Sequence, residues 1–334
     1  MLIIGCDFHP GFQQVAIFDK QTGEISQRRL QHPEEARAFY AGLRGQPVLV
    51  GIEAGGHMQW FERLLRELGI ELWIGDAAKI RALYVRKQKT DKRDAQHILD
   101  LLLSNRFPRL WMPTAAERDV RQLLLHRHQR VRLRTQVKNQ LHALALNQGL
   151  QKKRQLWTKA GRQQLEALAL LPFAAQRRAQ LLQMLDGLEQ EIKQLDQQVQ
   201  QQAEQRADAR WLMRQAGVGP NTALAFVLTI GDVKRFADAG KVSSYLGLIP
   251  REHSSGGHQR LGRISKQGNP FLRFLLVEAA QSAVRGDAEL GRCYRRWVQR
   301  IGRSKAKVAV ARKLAVRLYW RLRNHVNGVE DAQH

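Results

Sequence analysis

The chain has 334 residues, of which 43% are hydrophobic, so it can bury a sizeable core and is not a disordered protein. It carries 55 Lys and Arg against 30 Asp and Glu, and this formal net charge of +25 indicates a polyanionic partner. No apolar run reaches about 18 residues, which excludes a membrane-spanning protein, and the cysteines, Cys6 and Cys293, make neither a disulfide framework nor a zinc site. We expect a cytoplasmic bacterial protein of two or three domains.

The sequence pattern of residues 1–108 predicts an α/β domain. The first three short strands, with a turn at 21–24, indicate an antiparallel meander, and the apolar run at 47–53 is typical of a buried central strand. In chain order the predicted elements are strands at 2–8, 13–19 and 25–31, a helix at 34–44, a strand at 47–53, a helix at about 56–68, a strand at 70–75 and helices to about 105. This is the element order of an RNase H-like sheet.

Residues 114–205 predict a basic helical segment, separated from the first domain by a linker that Phe107–Pro108 and Met112–Pro113 bracket. Within 178–202, six apolar residues follow heptad spacing. They are Leu181, Leu185, Leu188, Ile192, Leu195 and Val199. The spacing fits both an arm that dimerises as a coiled coil and an antiparallel helix pair within one chain, and it does not separate the two.

Four acidic residues fall at related places in the predicted sheet. Asp7 lies on the first strand, Glu53 ends the fourth, and Asp91 and Asp94 share one face of a helix because they are three residues apart. The first and fourth strands of an RNase H-like sheet are neighbours, so all four carboxylates can converge. Converging carboxylates repel each other unless cations neutralise them, and oxygen ligands suit Mg²⁺ or Mn²⁺. Two such ions about 4 Å apart can stabilise the attacking and leaving oxygens of a phosphodiester.

Each of these acids also has a structural interpretation. Asp7 could be a turn residue at a strand end, and Asp91 could be no more than a helix N-cap, a role that is also open to Thr90. Glu53 is different because it ends an apolar run, where a carboxylate needs a partner or a metal. The four acids together favour a metal site.

Residues 206–330 predict a third, mostly helical domain that closes with a basic helix at 303–323. The stretch 212–227 is similar to a helix–hairpin–helix motif. Gly217 and Gly219 allow a tight turn there, and backbone N–H groups at the start of the next helix can hold a phosphate. A plain glycine turn between two helices is the alternative.

The segment 251–273 mixes serines with cations. A serine hydroxyl beside cations can attack a phosphodiester, although such a serine more often only binds a phosphate. Cations of this segment and of the basic helical segment are the candidate nucleic-acid contacts. They are Arg260, Arg263, Lys266 and Arg273, together with Arg127, Arg130, Arg134 and Lys138.

Nearly the whole chain resembles the DEDD transposases of bacterial insertion sequences, which are bridge-RNA-guided recombinases. The N-terminal resemblance lies in G-C-D-F-H, G-I-E-A-G-G and K-T-D-K-R-D-A, which contain the four acids. The C-terminal resemblance lies in G-V-G-P-N-T-A, Y-L-G-L-I-P-R and R-I-S-K-Q-G-N-P-F-L-R. Two departures are His9, where related proteins often have lysine, and Gly55, where many have threonine or serine. We expect neither to contact the carboxylates.

The resemblance implies that the four acids form a RuvC-like metal site. It also implies that Ser265 forms a transient covalent link to DNA, although Ser254 and Ser255 leave open which serine is used. It further implies a noncoding bridge RNA that pairs with target and donor DNA, and a dimer or a tetramer built as a dimer of dimers.

Two other functions stay open at this point. The first is a junction-resolving nuclease with the same acids and with water as the nucleophile. The second is a nucleic-acid-binding scaffold without catalysis.

Overall fold

The computed structural model describes residues 1–84, 90–151, 155–252 and 260–328. The chain forms two compact units, Met1–Met112 and Pro113–His334. Ser254 and Ser255 lie outside the described residues. Within the described ranges, no helix is both long enough and apolar enough to cross a bilayer.

The first unit is built on a five-stranded sheet. Its strands are β1 (Leu2–Phe8), β2 (Phe12–Asp19), β3 (Ile25–Gln31), β4 (Val48–Glu53) and β5 (Glu71–Gly75). They lie in the order β3-β2-β1-β4-β5, with the first three strands antiparallel and β4 parallel to both β1 and β5. The sequence-based prediction that the first and fourth strands are neighbours is confirmed.

Helices cover both faces of this sheet. They are α1 (Glu34–Ala41), α2 (Gln59–Glu67), α3 (Ala77–Ala82) and α4 (Asp91–Leu103). Tyr40 and Phe61 are buried in the core on one face, and Leu99 is buried in the core on the other. On that second face α4 lies against the backbone of β1, because a Cβ atom on Gly5 would be only 2.4 Å from the carbonyl oxygen of Ala95. This close packing sets the position of the acids at the start of α4.

The second unit begins with a long helical hairpin. Its helices are α5 (Ala115–Asn147), the short α6 (Lys159–Glu166) and α7 (Pro172–Gln205). Arg127 pairs with Asp196 and Lys138 pairs with Glu189, so α5 and α7 run antiparallel. The heptad residues Leu181, Leu185, Leu188, Ile192 and Val199 are buried within the same chain. The apolar seam thus packs against the chain's own helices.

The rest of the second unit is mostly helical. It comprises α8 (Ala207–Met213), α9 (Pro220–Ile230), α10 (Ala239–Tyr245), strands β6 (Pro250–Glu252) and β7 (Leu261–Ile264), α11 (Pro270–Gly286), α12 (Ala288–Ile301) and α13 (Arg303–Val326). Every residue of α9 from Thr222 to Ile230 is buried, as expected of a helix that is apolar all round. Because α9 lies within this buried core, its N-terminus is held by packing on several sides.

Candidate catalytic and nucleic-acid-binding sites

Three of the four candidate acids line one small cavity in the first unit. Asp7 lies near the carboxyl end of β1 and Glu53 ends the parallel, neighbouring β4, so both side chains leave the same edge of the sheet. Asp94, in the first turn of α4, lines the same cavity. The structure thus brings together Asp7, Glu53 and Asp94 as the strand order predicted.

Asp91 joins this group through His9. The Nε2 atom of His9 lies 3.1 Å from Oδ2 of Asp7 and 3.7 Å from Oδ1 of Asp91. One ligand atom from each of these three residues falls within 4.8 Å of the others. Thr90 is the N-cap of α4, since its side chain accepts a hydrogen bond from the amide of Arg93, so capping is not the role of Asp91.

The expectation that His9 does not contact the carboxylates was wrong. His9 follows β1 directly, and its backbone N–H donates to the carbonyl of Phe12 across the turn into β2. This turn directs the imidazole over the end of β1, where Asp7 lies. Sequence separation alone gave no sign of that contact. Gly55 is exposed, and a Cβ atom there would meet open space.

Electrostatics at this cavity favour a bound cation. Burial raises the pKa of the Asp7 carboxyl above its ordinary value, and the nearby charges of Asp94 and Asp91 raise it further, against the opposing effect of His9. Burial and the neighbouring carboxylates thus disfavour the ionised form of Asp7 when no cation is bound. A divalent cation would offset this electrostatic cost, and carboxylate oxygens are the ligands that such a cation prefers. The residues present fit a divalent metal.

Tyr84 and His97 also line the cavity, and the sequence analysis missed both. The pKa of the Tyr84 hydroxyl is raised by burial and by its hydrogen bond to Asp94. The ring of His97 meets the ring of Tyr84 edge-on, with 4.6 Å between centroids. His97 is one further turn along α4 from Asp94, so the three-residue spacing that linked the two aspartates could have revealed it. No pattern in the sequence indicated Tyr84.

Ser265 lies in a tight backbone junction in the second unit. It directly follows β7, and its amide donates to the carbonyl of Ile249 over 2.8 Å. The next residue, Lys266, has a φ of 57°, which is uncommon for a residue with a side chain. The Oγ atom of Ser265 is buried and has no hydrogen-bond partner among the described residues. A polar atom of this kind is suited to a ligand or to chemistry.

Two glycines make this serine junction possible. A Cβ atom on Gly268 would lie 1.9 Å from the carbonyl oxygen of Tyr245, and one on Gly247 would lie 2.2 Å from that of Gln267. Both glycines also have positive φ, at 72° and 65°. The motifs Y-L-G-L-I-P-R and R-I-S-K-Q-G-N-P-F-L-R are therefore the two sides of one backbone contact. Their glycines are explained by packing.

The two glycines before α9 differ in their surroundings. Gly217 has a φ of 82°, and a Cβ atom there would lie 2.4 Å from the amide of Ala283 in α11. Gly217 is therefore needed for packing. Gly219 is exposed and precedes Pro220 as the N-cap of α9, and a Cβ atom there would meet nothing within 4 Å. Only Gly219 lies where a phosphate could approach the helix start.

Several predicted nucleic-acid contacts have partners inside the protein. Arg127, Arg130 and Lys138 form ion pairs from α5 to carboxylates of α7. Arg273 donates to the backbone carbonyls of Leu246 and Gln267, which closes the serine junction. Their role in binding nucleic acid stays a prediction. Arg260, Arg263 and Lys266 are exposed.

The structure shows which cations of the basic C-terminal stretch are exposed. Residues 290–329 contain twelve Lys and Arg and no Asp or Glu. Lys313 and Arg317 pair with acids at the start of α12. A further group on α12 and the start of α13 is exposed and has no ion pair within the described part of the chain. This arginine surface consists of Arg292, Arg295, Arg296, Arg300, Arg303 and Lys305.

Comparison with known proteins assigns the family. Residues 209–295 match the model described as "Transposase IS116/IS110/IS902 family", and residues 4–149 match the DEDD transposase model of IS110. A protein of Pseudomonas aeruginosa named "Probable family 20 transposase" is 31% identical over 332 residues, which cover 96% of each chain. The chain belongs to the IS116/IS110/IS902 family of transposases.

A second relative of this transposase is the "Transposase for insertion sequence element IS1111A" of Coxiella burnetii. It is 27% identical over 323 residues, which cover 94% of this chain and 87% of that protein. The transposase is thus an enzyme that acts on DNA, as the sequence analysis predicted. The DEDD model covers all four acids, and such a domain suggests a divalent cation.

Proposed function

We propose that this transposase cuts and exchanges DNA strands with two sets of groups, the four acids of a RuvC-like domain (1–108) and Ser265 of a C-terminal domain (206–330). The observation that carries this proposal is the shared cavity of Asp7, Glu53 and Asp94 at one edge of the sheet, with Asp91 beside it. Carboxylates placed this way have no evident structural purpose, since mutual repulsion disfavours them without a cation.

Asp7, Glu53, Asp91 and Asp94 would hold Mg²⁺ or Mn²⁺. When bound, the metal supplies positive charge that stabilises oxygens of the reacting phosphodiester. The contribution of the chain is to fix the carboxylates on regular elements. Asp7 and Glu53 are placed by parallel strands and Asp94 by a helix packed on the sheet, and Tyr84 lines the same cavity.

Ser265 would attack the phosphodiester. The Oγ–P bond forms as the bond from phosphorus to the leaving oxygen breaks, the hydroxyl proton passes to solvent or a base, and the leaving oxygen gains a proton. Attack by the free strand end of the second DNA then reverses the step and releases Ser265. The Oγ atom of Ser265 has no hydrogen-bond partner among the described residues, and backbone hydrogen bonds fix its position. Both observations support this role, because a nucleophile must be held in one place.

DNA phosphates would be held by separate groups of the second unit. The start of α9 at Gly219, a helix–hairpin–helix-like feature, offers backbone N–H groups. The arginine surface and the exposed Arg260, Arg263 and Lys266 offer positive charge. These contacts do not read base sequence. A bridge RNA would supply the sequence choice, and a dimer or tetramer would bring two DNA half-sites together, as the family resemblance implies.

A denaturing gel tests the two-part chemistry. Purified protein is incubated with Mg²⁺, labelled DNA that carries the element junction, and the noncoding RNA encoded beside the gene. Wild type is compared with Ser265→Ala and Asp94→Asn, and with Ser304→Ala as a matched control, because Ser304 is also flanked by cations. We expect a protein–DNA adduct with wild type and Ser304→Ala only.

The other outcomes separate the alternatives. Cleaved DNA without an adduct in both wild type and Ser265→Ala would mean a nuclease that uses water, and Ser265 would then only bind phosphate. Calorimetric titration with Mg²⁺ adds a second test. If the protein binds nucleic acid but shows no Mg²⁺ binding that depends on the four acids, it is a scaffold without catalysis.

A further inference from the structure

Among the described residues, His9 is the one that places a nitrogen ligand atom next to the carboxylate oxygens of Asp7 and Asp91. Its Nε2 atom lies 3.1 Å from an oxygen of Asp7 and 3.7 Å from an oxygen of Asp91. The side chain is 39% exposed, so an ion can reach it from solvent.

The ring of His9 is held in this orientation by a stack of three side chains. It lies on the ring of Phe12, with 4.7 Å between centroids and 24° between planes. The guanidinium of Arg29, on β3, lies 3.7 Å from the centroid of the same Phe12 ring. The backbone N–H of His9 donates to the carbonyl of Phe12 over 2.9 Å. Contacts outside the acid cluster thus fix where Nε2 points.

We propose that Nε2 of His9 is a nitrogen ligand of the metal that Asp7 and Asp91 hold, and that this ligand makes the site select Mn²⁺ over Mg²⁺ more strongly than carboxylates alone would. This inference rests on the metal site of the proposed function. It adds to that site a ligand that is not one of the four acids.

The spacing of the donor atoms supports this assignment. Neighbouring ligands of an octahedral ion with bonds of about 2.1 Å lie about 3.0 Å apart, and opposite ligands about 4.2 Å apart. The two separations from Nε2, 3.1 and 3.7 Å, fall in that interval. Little rearrangement is therefore needed for one ion to bind between Nε2 and these carboxylate oxygens.

The chemistry of nitrogen sets the expected selectivity. Mg²⁺ is a hard cation that prefers oxygen and gives up water reluctantly, whereas imidazole suits transition metals. One imidazole among carboxylates should therefore strengthen the binding of Mn²⁺ and leave that of Mg²⁺ nearly unchanged.

Spin-echo spectroscopy of Mn²⁺ on the full-length protein tests the ligand directly, because a coordinated imidazole nitrogen modulates the echo. Wild type is compared with His9→Gln and with His97→Gln, the other histidine at the cavity, whose Nε2 lies 3.2 Å from the carbonyl oxygen of Ile80. We expect nitrogen modulation in wild type and His97→Gln, and none in His9→Gln. Calorimetry should show Mn²⁺ binding weakened about tenfold in His9→Gln, with Mg²⁺ binding changed less than about twofold.

The outcomes distinguish this inference from the proposed function. Mn²⁺ that binds in wild type, is lost in Asp7→Asn, and shows no nitrogen modulation would overturn the role of His9 and leave the acid site intact. Modulation that survives in His9→Gln would also overturn it. If Mn²⁺ binding does not depend on Asp7, the metal site itself is overturned. Thermal melts of each variant separate lost ligands from lost folding.

Discussion

The acid cavity of the first unit and the serine junction of the second hold their functional groups in opposite ways. Asp7, Glu53 and Asp94 project from two strands and a helix, so the element order places them. Ser265 lies where two irregular segments meet, and backbone hydrogen bonds and glycine contacts hold it. The register of a strand or helix is enough to place a carboxylate, whereas the position of Ser265 depends on the backbone torsions of several neighbouring residues.

This difference has a consequence for mutation. At the acid cavity, replacing a carboxylate should change the chemistry while leaving the fold intact, because the strands and α4 hold themselves together by buried apolar packing. At the serine junction, a single added methyl group away from Ser265 should displace the serine, because the backbones there are already in contact.

Gly268→Ala should have the largest effect on stability and activity together. Its Cβ atom would lie 1.9 Å from the carbonyl oxygen of Tyr245, and its φ of 72° disfavours any side chain. We expect a loss of about 2–4 kcal/mol in the free energy of unfolding and no protein–DNA adduct, even though Ser265 is present. Denaturant unfolding and the adduct gel measure the two effects.

Gly262→Ala is the matched control in the adjoining strand. Its Cβ atom would meet the carbonyl oxygen of Arg251 at 3.7 Å, an ordinary contact, and no positive φ is involved. We expect a change below about 0.5 kcal/mol and normal adduct formation. Equal losses in the two variants would show that the glycine contact does not position the serine.

Gly217→Ala and Gly219→Ala extend the comparison to the start of α9. The first places a Cβ atom 2.4 Å from the amide of Ala283 and should cost about 2–4 kcal/mol, whereas the second meets open space and should cost less than about 1 kcal/mol. If phosphate approaches Gly219, its substitution should still weaken DNA binding, measured by anisotropy. Unchanged affinity in Gly219→Ala would remove the start of α9 from the DNA surface.

The acid cavity was largely predictable from the sequence, and the serine junction was not. The turn at 21–24 and the apolar run at 47–53 indicated the strands, the strand order put Asp7 beside Glu53, and helical spacing put Asp94 on the same helix face as Asp91. No such periodicity exists for Lys266, whose positive φ depends on the segment packed against it. For the same reason, the contact of His9 with Asp7 was missed, since it depends on a turn rather than on a repeat.

Protonation of one aspartate in each unit should also change the stability of the protein in opposite directions. Burial, Asp94 and Asp91 raise the pKa of Asp7, so its ionised form destabilises the metal-free protein. Burial alone would raise the pKa of Asp287, but the amide of Leu290 and the guanidinium of Arg317 lower it below the ordinary value. The ionised form of Asp287 therefore stabilises the second unit.

Thermal melts in a chelator, from about pH 7 down to about pH 3, measure this contrast. At neutral pH, Asp7→Asn should raise the melting temperature and Asp287→Asn should lower it, each by a few degrees. The gain in Asp7→Asn should shrink as pH falls through the raised pKa of Asp7. The loss in Asp287→Asn should shrink only at lower pH, as wild type itself loses that carboxylate. A lower melting temperature for Asp7→Asn at neutral pH would contradict the account of the acid cavity.

The smallest effect is expected at the hairpin, where Lys138 lies 2.7 Å from Glu189. Exposed pairs of this kind contribute about 0.2–1 kcal/mol, so Lys138→Met should barely alter unfolding. A phosphate can replace the half-exposed Glu189 as partner, so the same variant should reduce the salt dependence of DNA binding by about one counterion.

Arg162→Met is the control. Arg162 donates two hydrogen bonds to Asp186, so we expect its replacement to leave the salt dependence of DNA binding unchanged. Identical salt dependence in Lys138→Met and wild type would make this cation, like the glycines of the serine junction, part of the scaffold and not of the DNA surface.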